Sequence, residues 1–254
     1  MQSLAVIEKL KKIEHEHSVK VLYAAESGSR AWGFASTDSD YDVRFIYVHL
    51  KDWYLSIEPK RDVIEIPLDG DLDISGWDFP KALGLFRKSN PALYEWLQSP
   101  IVYVKPHPSI EELKRMSFEY FSSRSCLMHY FSMADKNLRE QISESAIKLK
   151  KYFYILRPLF ACEWIEKNGT MPPTEFESLL KSQRLSEELS QVIASLLADK
   201  KEGRELDLKP RLRVLDEYLT ERVAYFKLYI QQTKDSKENP YEPLDLLFRK
   251  TLTN

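Results

Sequence analysis

Residues 3–16 set charged and apolar side chains on a helical period, and the apolar run Val19–Ala25 that follows predicts a strand. A polar, turn-rich segment, Ser27–Ser39, separates it from a second strand at Tyr41–His49. A short helix or loop near Asp52–Ser56 leads to a strand at Asp62–Pro67, a turn at Asp69-Gly70 and a strand at Asp71–Ser75. Asp78 is placed to cap a helix running through Leu85, with Pro80 tolerated in its first turn. Past Pro91 a helix covers Leu93–Gln98. Ile101–Lys105 reads as one more short strand before Pro106 and Pro108 break the chain.

From Ser109 onward the pattern is helical throughout, over 109–121, 123–141, 144–167, 174–181, 185–199, 210–232 and 241–251. Glycine marks the same division: Gly28, Gly33, Gly70, Gly76 and Gly84 precede position 90, and only two follow it. Strands mixed with helices before the prolines, and helices alone after them, predict an α+β chain. The expected organisation is a mixed-sheet domain over 1–105 and an all-helical domain over 106–254.

A chain of 254 residues that is 43 % apolar and 12 % aromatic is globular, which removes disordered, collagenous and coiled-coil readings. No apolar run approaches the roughly eighteen residues of a membrane span, and the charged N-terminus does not resemble a secretory signal. Two cysteines, Cys126 and Cys162, suggest neither a disulfide framework nor a CxxC zinc site, so the expected compartment is the cytoplasm. With 37 basic against 39 acidic side chains the net charge is −2, and any nucleic-acid contact must be a local patch. Residues 1–105 hold 13 Lys+Arg against 16 Asp+Glu and the remainder 24 against 23, so the acidic excess lies in the strand-bearing part.

Within that part, the stretch from Glu26 to Val48 runs from one strand through a Gly-Ser turn into a strand opened by alternating aspartates. Asp40 and Asp42 are two apart, so on a strand both side chains point to one face, with Cα atoms about 6.5–7 Å apart. Such a pair repels itself unless a cation lies between, and hard carboxylate oxygens without His or Cys suit Mg²⁺ or Mn²⁺. Gly28 permits close approach of backbone to an anion, and Ser29 adds a hydroxyl, the arrangement needed to hold a nucleotide's phosphates.

Gly28-Ser29, then Asp40-Tyr41-Asp42 opening an apolar strand, resembles the DNA polymerase β nucleotidyltransferase superfamily. That superfamily uses a third carboxylate flanked by apolar residues on a later strand. Leu72-Asp73-Ile74 satisfies this, with Asp71 on the same strand face as the alternative. The wider text at 28–34, 73–78, 90–100 and 156–159 is similar to the RNA-repair-pathway DNA polymerase β family, over nearly the whole chain. The resemblance implies a two-metal transfer of an NMP from an NTP to an acceptor hydroxyl, with an RNA end as the expected acceptor. Asp40 and Asp42 would bind both ions, and Asp73 would ligate only the ion that activates the attacking hydroxyl. A protein or small-molecule acceptor, and a non-catalytic nucleotide-binding or antitoxin-like module, are the alternatives. Absence of Gly-x4-Gly-Lys-Ser/Thr, Gly-x-Gly-x-x-Gly and His-Glu-x-x-His disfavours a P-loop NTPase, a dinucleotide oxidoreductase and a zinc protease.

Arg30 and Arg44 are the basic candidates beside this core, Arg44 either for phosphate or as a counter-ion to the aspartates. Lys150, Tyr154 and Arg157 fall at i, i+4 and i+7, so a helix would put them on one face. That face could clamp a triphosphate and stack a base, or could simply be solvated; Pro158 would kink the helix. Trp32, Trp53 and Trp77 read mainly as packing residues, Cys162 as a buried small hydrophobe and Asp38 as a turn or cap. His15, His17 and His129 lack partners at zinc-ligand spacing.

Overall fold

The computed structural model describes residues 2–36, 39–141, 146–204, 207–233 and 239–253; Asp38 lies outside them. The chain opens with α1 (Gln2–His17), β1 (Val19–Glu26), a single turn α2 (Gly28–Ala31) and β2 (Tyr41–His49). Next come α3 (Lys51–Tyr54), β3 (Val63–Glu65), β4 (Leu72–Asp78), α4 (Phe79–Arg87), α5 (Pro91–Leu97), β5 (Val102–Val104) and α6 (Pro108–Tyr120). After these run α7 (Ser123–Gln141), β6 (Ala146–Lys148), α8 (Leu149–Asn168), α9 (Phe176–Lys181) and α10 (Glu187–Lys201). The last elements are β7 (Leu208–Pro210), α11 (Arg213–Gln232) and α12 (Glu242–Thr251). None of the described helices is long and apolar enough to cross a membrane.

The α+β class holds. The five-stranded sheet has the order β3-β4-β2-β1-β5, with β2 antiparallel to β1 and parallel to β4. Val6, Leu10 and Ile13 recur at helical spacing on α1 and join Val43, Phe45, Tyr47 and Ile74 in one buried cluster. Those three β2 residues alternate along the strand, so one parity faces this core. Phe45 needs a glycine beside it, because a Cβ at Gly76 would stand 2.3 Å from its ring. From Phe45 to His49 every residue of β2 is buried, whereas Tyr41, Asp42 and Arg44 at its start are only half-buried. The open end of the central strand is therefore where the aspartates lie.

By contacts the described residues form two units, one drawn from 1–31, 40–121 and 238–254, the other from 32–39 and 122–237. The division expected after Lys105 shifts accordingly. The prolines end β5 but do not release α6, which is tied to the C-terminal segment of its own unit. Ser109 Oγ lies 2.6 Å from Thr251 Oγ1, the Tyr120 hydroxyl donates to Pro240 O at 2.9 Å, and Asn239 Nδ2 donates to Tyr120 O. No local pattern in the sequence announces that return, because it is made of long-range hydrogen bonds.

The second unit is mostly helical but not wholly so. Ala146–Lys148, expected as the start of a helix over 144–167, instead pairs antiparallel with Leu208–Pro210. Pairing between distant segments overrides a weak local helix preference here, and Pro210 lacks the N–H that a helix interior would use. Helix α8 continues unbroken through Pro158. Leu127, Tyr130, Ala134 and Leu138 of α7, and Leu215, Leu219 and Phe226 of α11, supply buried stripes at helical spacing.

At the N-terminus of α4, Asp78 occupies the capping position without a side-chain capping bond. Its carboxylate accepts the Tyr54 hydroxyl at 2.5 Å instead.

Candidate active site at the open end of the central strands

Strand β1 delivers Ser27 to β2, where its N–H donates to Asp42 O at 2.8 Å. Gly28 follows at φ +59°, and a Cβ built on it would lie 2.0 Å from Asp42 Oδ2. Any side chain at 28 would thus both strain the backbone and collide with the carboxylate. The Gly-Ser turn and the aspartate strand close on each other as one local structure, with Ser29 half-buried in the turn.

Parallel pairing of β2 with β4 sets Asp42 directly opposite Asp73 and Arg44 opposite Ser75. Neighbours in parallel register share a face, so the two carboxylates emerge side by side. Asp71 precedes β4, is exposed, and contributes its carbonyl, which accepts the Tyr41 N–H at 2.7 Å. Between the two candidates for a third carboxylate, the register brings Asp73 to Asp42. Asp40 is exposed immediately before β2, and its carbonyl accepts Arg30 Nε at 3.1 Å while the Arg30 guanidinium lies 3.7 Å over the Tyr41 ring.

Arg44 bridges the pair: its Nη2 is 2.7 Å from Asp73 Oδ2 and 3.1 Å from Asp42 Oδ1. The side chains of Arg44, Asp42 and Asp73 are 19 %, 28 % and 41 % exposed, so this is a half-open ion cluster. Burial raises the Asp42 carboxyl above its ordinary range; Arg44 opposes this, and Asp73 and Asp40 add to it by repulsion. Among the described residues no three His, Cys, Asp or Glu side chains form a closed ligand set. The donors at this end are nevertheless all carboxylate oxygens, with a guanidinium now supplying the positive charge. Their chemistry suits a hard divalent cation rather than zinc.

Sequence reasoning passed over Glu26. It is fully buried at the end of β1, accepts the Asp42 N–H on Oε1 at 2.7 Å and takes the Tyr103 hydroxyl on Oε2. Burial raises its carboxyl above the usual range, against the two hydrogen bonds. Ser99 adds a bond from its hydroxyl to Glu26 O at 2.6 Å. A lone acid closing the apolar run Val21–Ala25 was the available signal for Glu26; nothing local pointed to Tyr103 or Ser99.

The helical candidates occupy α8 but not one environment. Lys150 is half-buried, Tyr154 is exposed and Arg157 is 3 % exposed. The shared face expected for a clamp or a solvated stripe does not extend to Arg157. Its guanidinium lies 4.3 Å over Trp32 and its Nη2 donates to Thr174 O at 3.2 Å. The other tryptophans pack on protein as well, Trp53 against His49 at 3.7 Å and Trp77 against Trp96 at 3.8 Å. Cys162 is buried, and burial holds its thiol protonated.

The sequence profile of the RNA repair pathway DNA polymerase beta family matches residues 3–250. The chain is 45 % identical over 247 residues to the uncharacterized protein YcgL of Bacillus subtilis (strain 168), covering 97 % of this chain and 95 % of that one. Among solved structures it is similar to a nucleotidyltransferase-like protein from Exiguobacterium sibiricum 255-15, at 12 % identity and a TM-score of 0.32, over 97 % of this chain and 92 % of the other.

Proposed function

The chain belongs to the RNA repair pathway DNA polymerase beta family, and from that premise we propose that it transfers a nucleoside monophosphate from an NTP to an acceptor hydroxyl, the acceptor being an RNA end. The observation that carries the reading is the register that sets Asp42 beside Asp73, with Gly28 closed against Asp42. A binding module has no use for a strand end crowded with like charges that cost stability.

Asp40, Asp42 and Asp73 are the residues that would hold Mg²⁺ or Mn²⁺. Bound there, a divalent cation would act as a Lewis acid on the phosphate and the attacking hydroxyl. The chain's own contribution is placement and charge. Glu26 fixes the Asp42 backbone through its N–H, and Gly28 lets the turn approach the carboxylate. Arg44 neutralises two aspartates in this structure, and with its planar fork it can instead pair with the triphosphate. Arg30 and Ser29 lie in the same turn as further phosphate donors.

The test incubates the protein and its Asp42→Asn variant with each α-labelled NTP, Mg²⁺ or Mn²⁺ and cell extract. Label in nuclease-sensitive material that requires Asp42 is the expected result. Protease-sensitive label or a labelled small molecule would move the acceptor, and no transfer by the parent would overturn the catalytic reading.

A further inference from the structure

Strands β1 and β2 pair as far as Glu26 opposite Val43, and at the next pair, Ser27 and Asp42, the ladder is incomplete. Ser27 N–H donates to Asp42 O, but Ser27 O has turned into α2, where it accepts the Ala31 N–H at 3.4 Å. The reciprocal acceptor that an antiparallel pair would offer the Asp42 N–H comes instead from a side chain, Glu26 Oε1. A carboxylate thus stands in for a main-chain carbonyl at the point where the Gly-Ser turn leaves the sheet.

Strand β5 holds that carboxylate from its other side. Ala24 pairs with Val104 and Ala25 with Val102, so Tyr103 is an extra residue, a bulge in β5. Its half-buried side chain donates the hydroxyl to Glu26 Oε2. The Glu26 main chain is fixed as well, its N–H donating to Ile101 O at 2.9 Å and its carbonyl accepting the Ser99 hydroxyl. The last torsion of a glutamate is soft, so one hydrogen bond at Oε1 leaves the carboxylate plane free to swing, and a second at Oε2 sets it. Burying an acid at this strand end is costly, and an apolar residue would close the strand more cheaply if packing were all that was required.

We propose that Tyr103 is a positioning residue for the nucleotidyl-transfer site: from the β5 bulge it fixes the Glu26 carboxylate, which fixes the Asp42 main chain and so the direction in which the Asp42 side chain leaves β2. The inference rests on the reading of Asp42 as a ligand of the divalent cation. Tyr103 then acts on the reaction through two successive hydrogen bonds, without touching metal or nucleotide.

Exchange of single amides on the full-length chain, read by NMR, and Mn²⁺ titration followed by electron paramagnetic resonance test this with no need for activity. Tyr103→Phe removes one hydroxyl and keeps the ring. In it the Asp42 amide is expected to exchange about tenfold faster, while the amides of α4 in the same unit hold. Mn²⁺ should bind about tenfold more weakly. NMP transfer should fall at limiting Mn²⁺ and recover at high Mn²⁺, which a merely loosened core would not show. Glu26→Ala should be at least as severe, and Tyr103→Phe added to it should change nothing further; if Glu26→Ala fails to fold, Tyr103→Phe decides alone. An unchanged Asp42 amide, an unchanged Mn²⁺ affinity, or faster exchange throughout the unit would overturn the proposal. A parent that binds no Mn²⁺ would instead overturn the metal reading on which it rests, while the Asp42 amide still reports whether Tyr103 holds that backbone.

Discussion

Asp42, Asp73 and Arg44 meet across two hydrogen-bonded strands and stay part-exposed, whereas Arg157 and Lys200 sit on helices and are buried, Arg157 over the Trp32 ring and against Thr174 O, Lys200 over the Phe34 ring. In the first group, strand register gathers charges that lie far apart in sequence and leaves their outer sides in water. In the second, packing takes charges out of water and sets each against an aromatic ring of the protein. Solvent-facing charges in a shared register remain available to a ligand; charges already spent on ring faces do not.

The largest effect that would break this contrast is loss of the fold on removing an edge charge. Asp42→Asn should reduce NMP transfer by about a thousandfold. Its melting temperature should hold, since burial already disfavours the ionised Asp42 carboxyl. Transfer assays paired with thermal melts check both halves, and a variant that unfolds would make the edge structural.

Gly28→Ala attacks the same edge through the backbone. With φ at +59° and a Cβ only 2.0 Å from Asp42 Oδ2, it should cost about 1–3 kcal/mol of stability and displace the Asp42 carboxylate. Transfer should fall by about a hundredfold, read against denaturant melts of the same sample. Equal loss of activity in a serine variant would confirm that space rather than polarity is decisive.

Asp78 sharpens the contrast, being a carboxylate of the same sheet that is buried without a cation. Burial pushes it up to about 6 from 3.8, so the folded chain holds this proton more tightly than the unfolded one. Stability from this group therefore falls as pH rises from about 3.8 to about 6 and stays low above that. Asp78→Asn should be more stable than the parent at pH 7 by about 1 kcal/mol and no more stable at pH 4, measured by urea melts at the two pH values. The smallest effect belongs to Tyr154, the exposed member of the α8 series, where alanine should change stability by less than about 0.5 kcal/mol in the same melts.

Helical and strand periods were legible in the chain wherever burial is one-sided or complete. Tyr41–His49 agrees with its expected limits, and α1 and α12 lie within a residue of theirs. The failures share a cause. Ala146–Lys148 became a strand because Leu208–Pro210 pairs with it, α6 stayed with the sheet because Asn239, Pro240 and Thr251 return to that unit, and the α8 series divided because Trp32 covers Arg157. Each is decided by a partner more than sixty residues away or on another element, and a period measured along one segment cannot register it.

By itself the sequence determined which residue types crowd the first strands, since Gly28-Ser29, Asp40-x-Asp42 and the apolar-flanked Asp73 are readable as text, and alternation decides which share a strand face. Tertiary structure alone decided that Asp73 stands opposite Asp42, that Arg44 pairs with both, that Glu26 holds the Asp42 N–H, and that residues 32–36 and 39 belong to the helical unit. The physical reason is range: side-chain parity and helical period act over a few residues along the chain, whereas register, ion pairing and burial of a cation on a ring are set through space by whichever distant segment closes the hydrogen bonds.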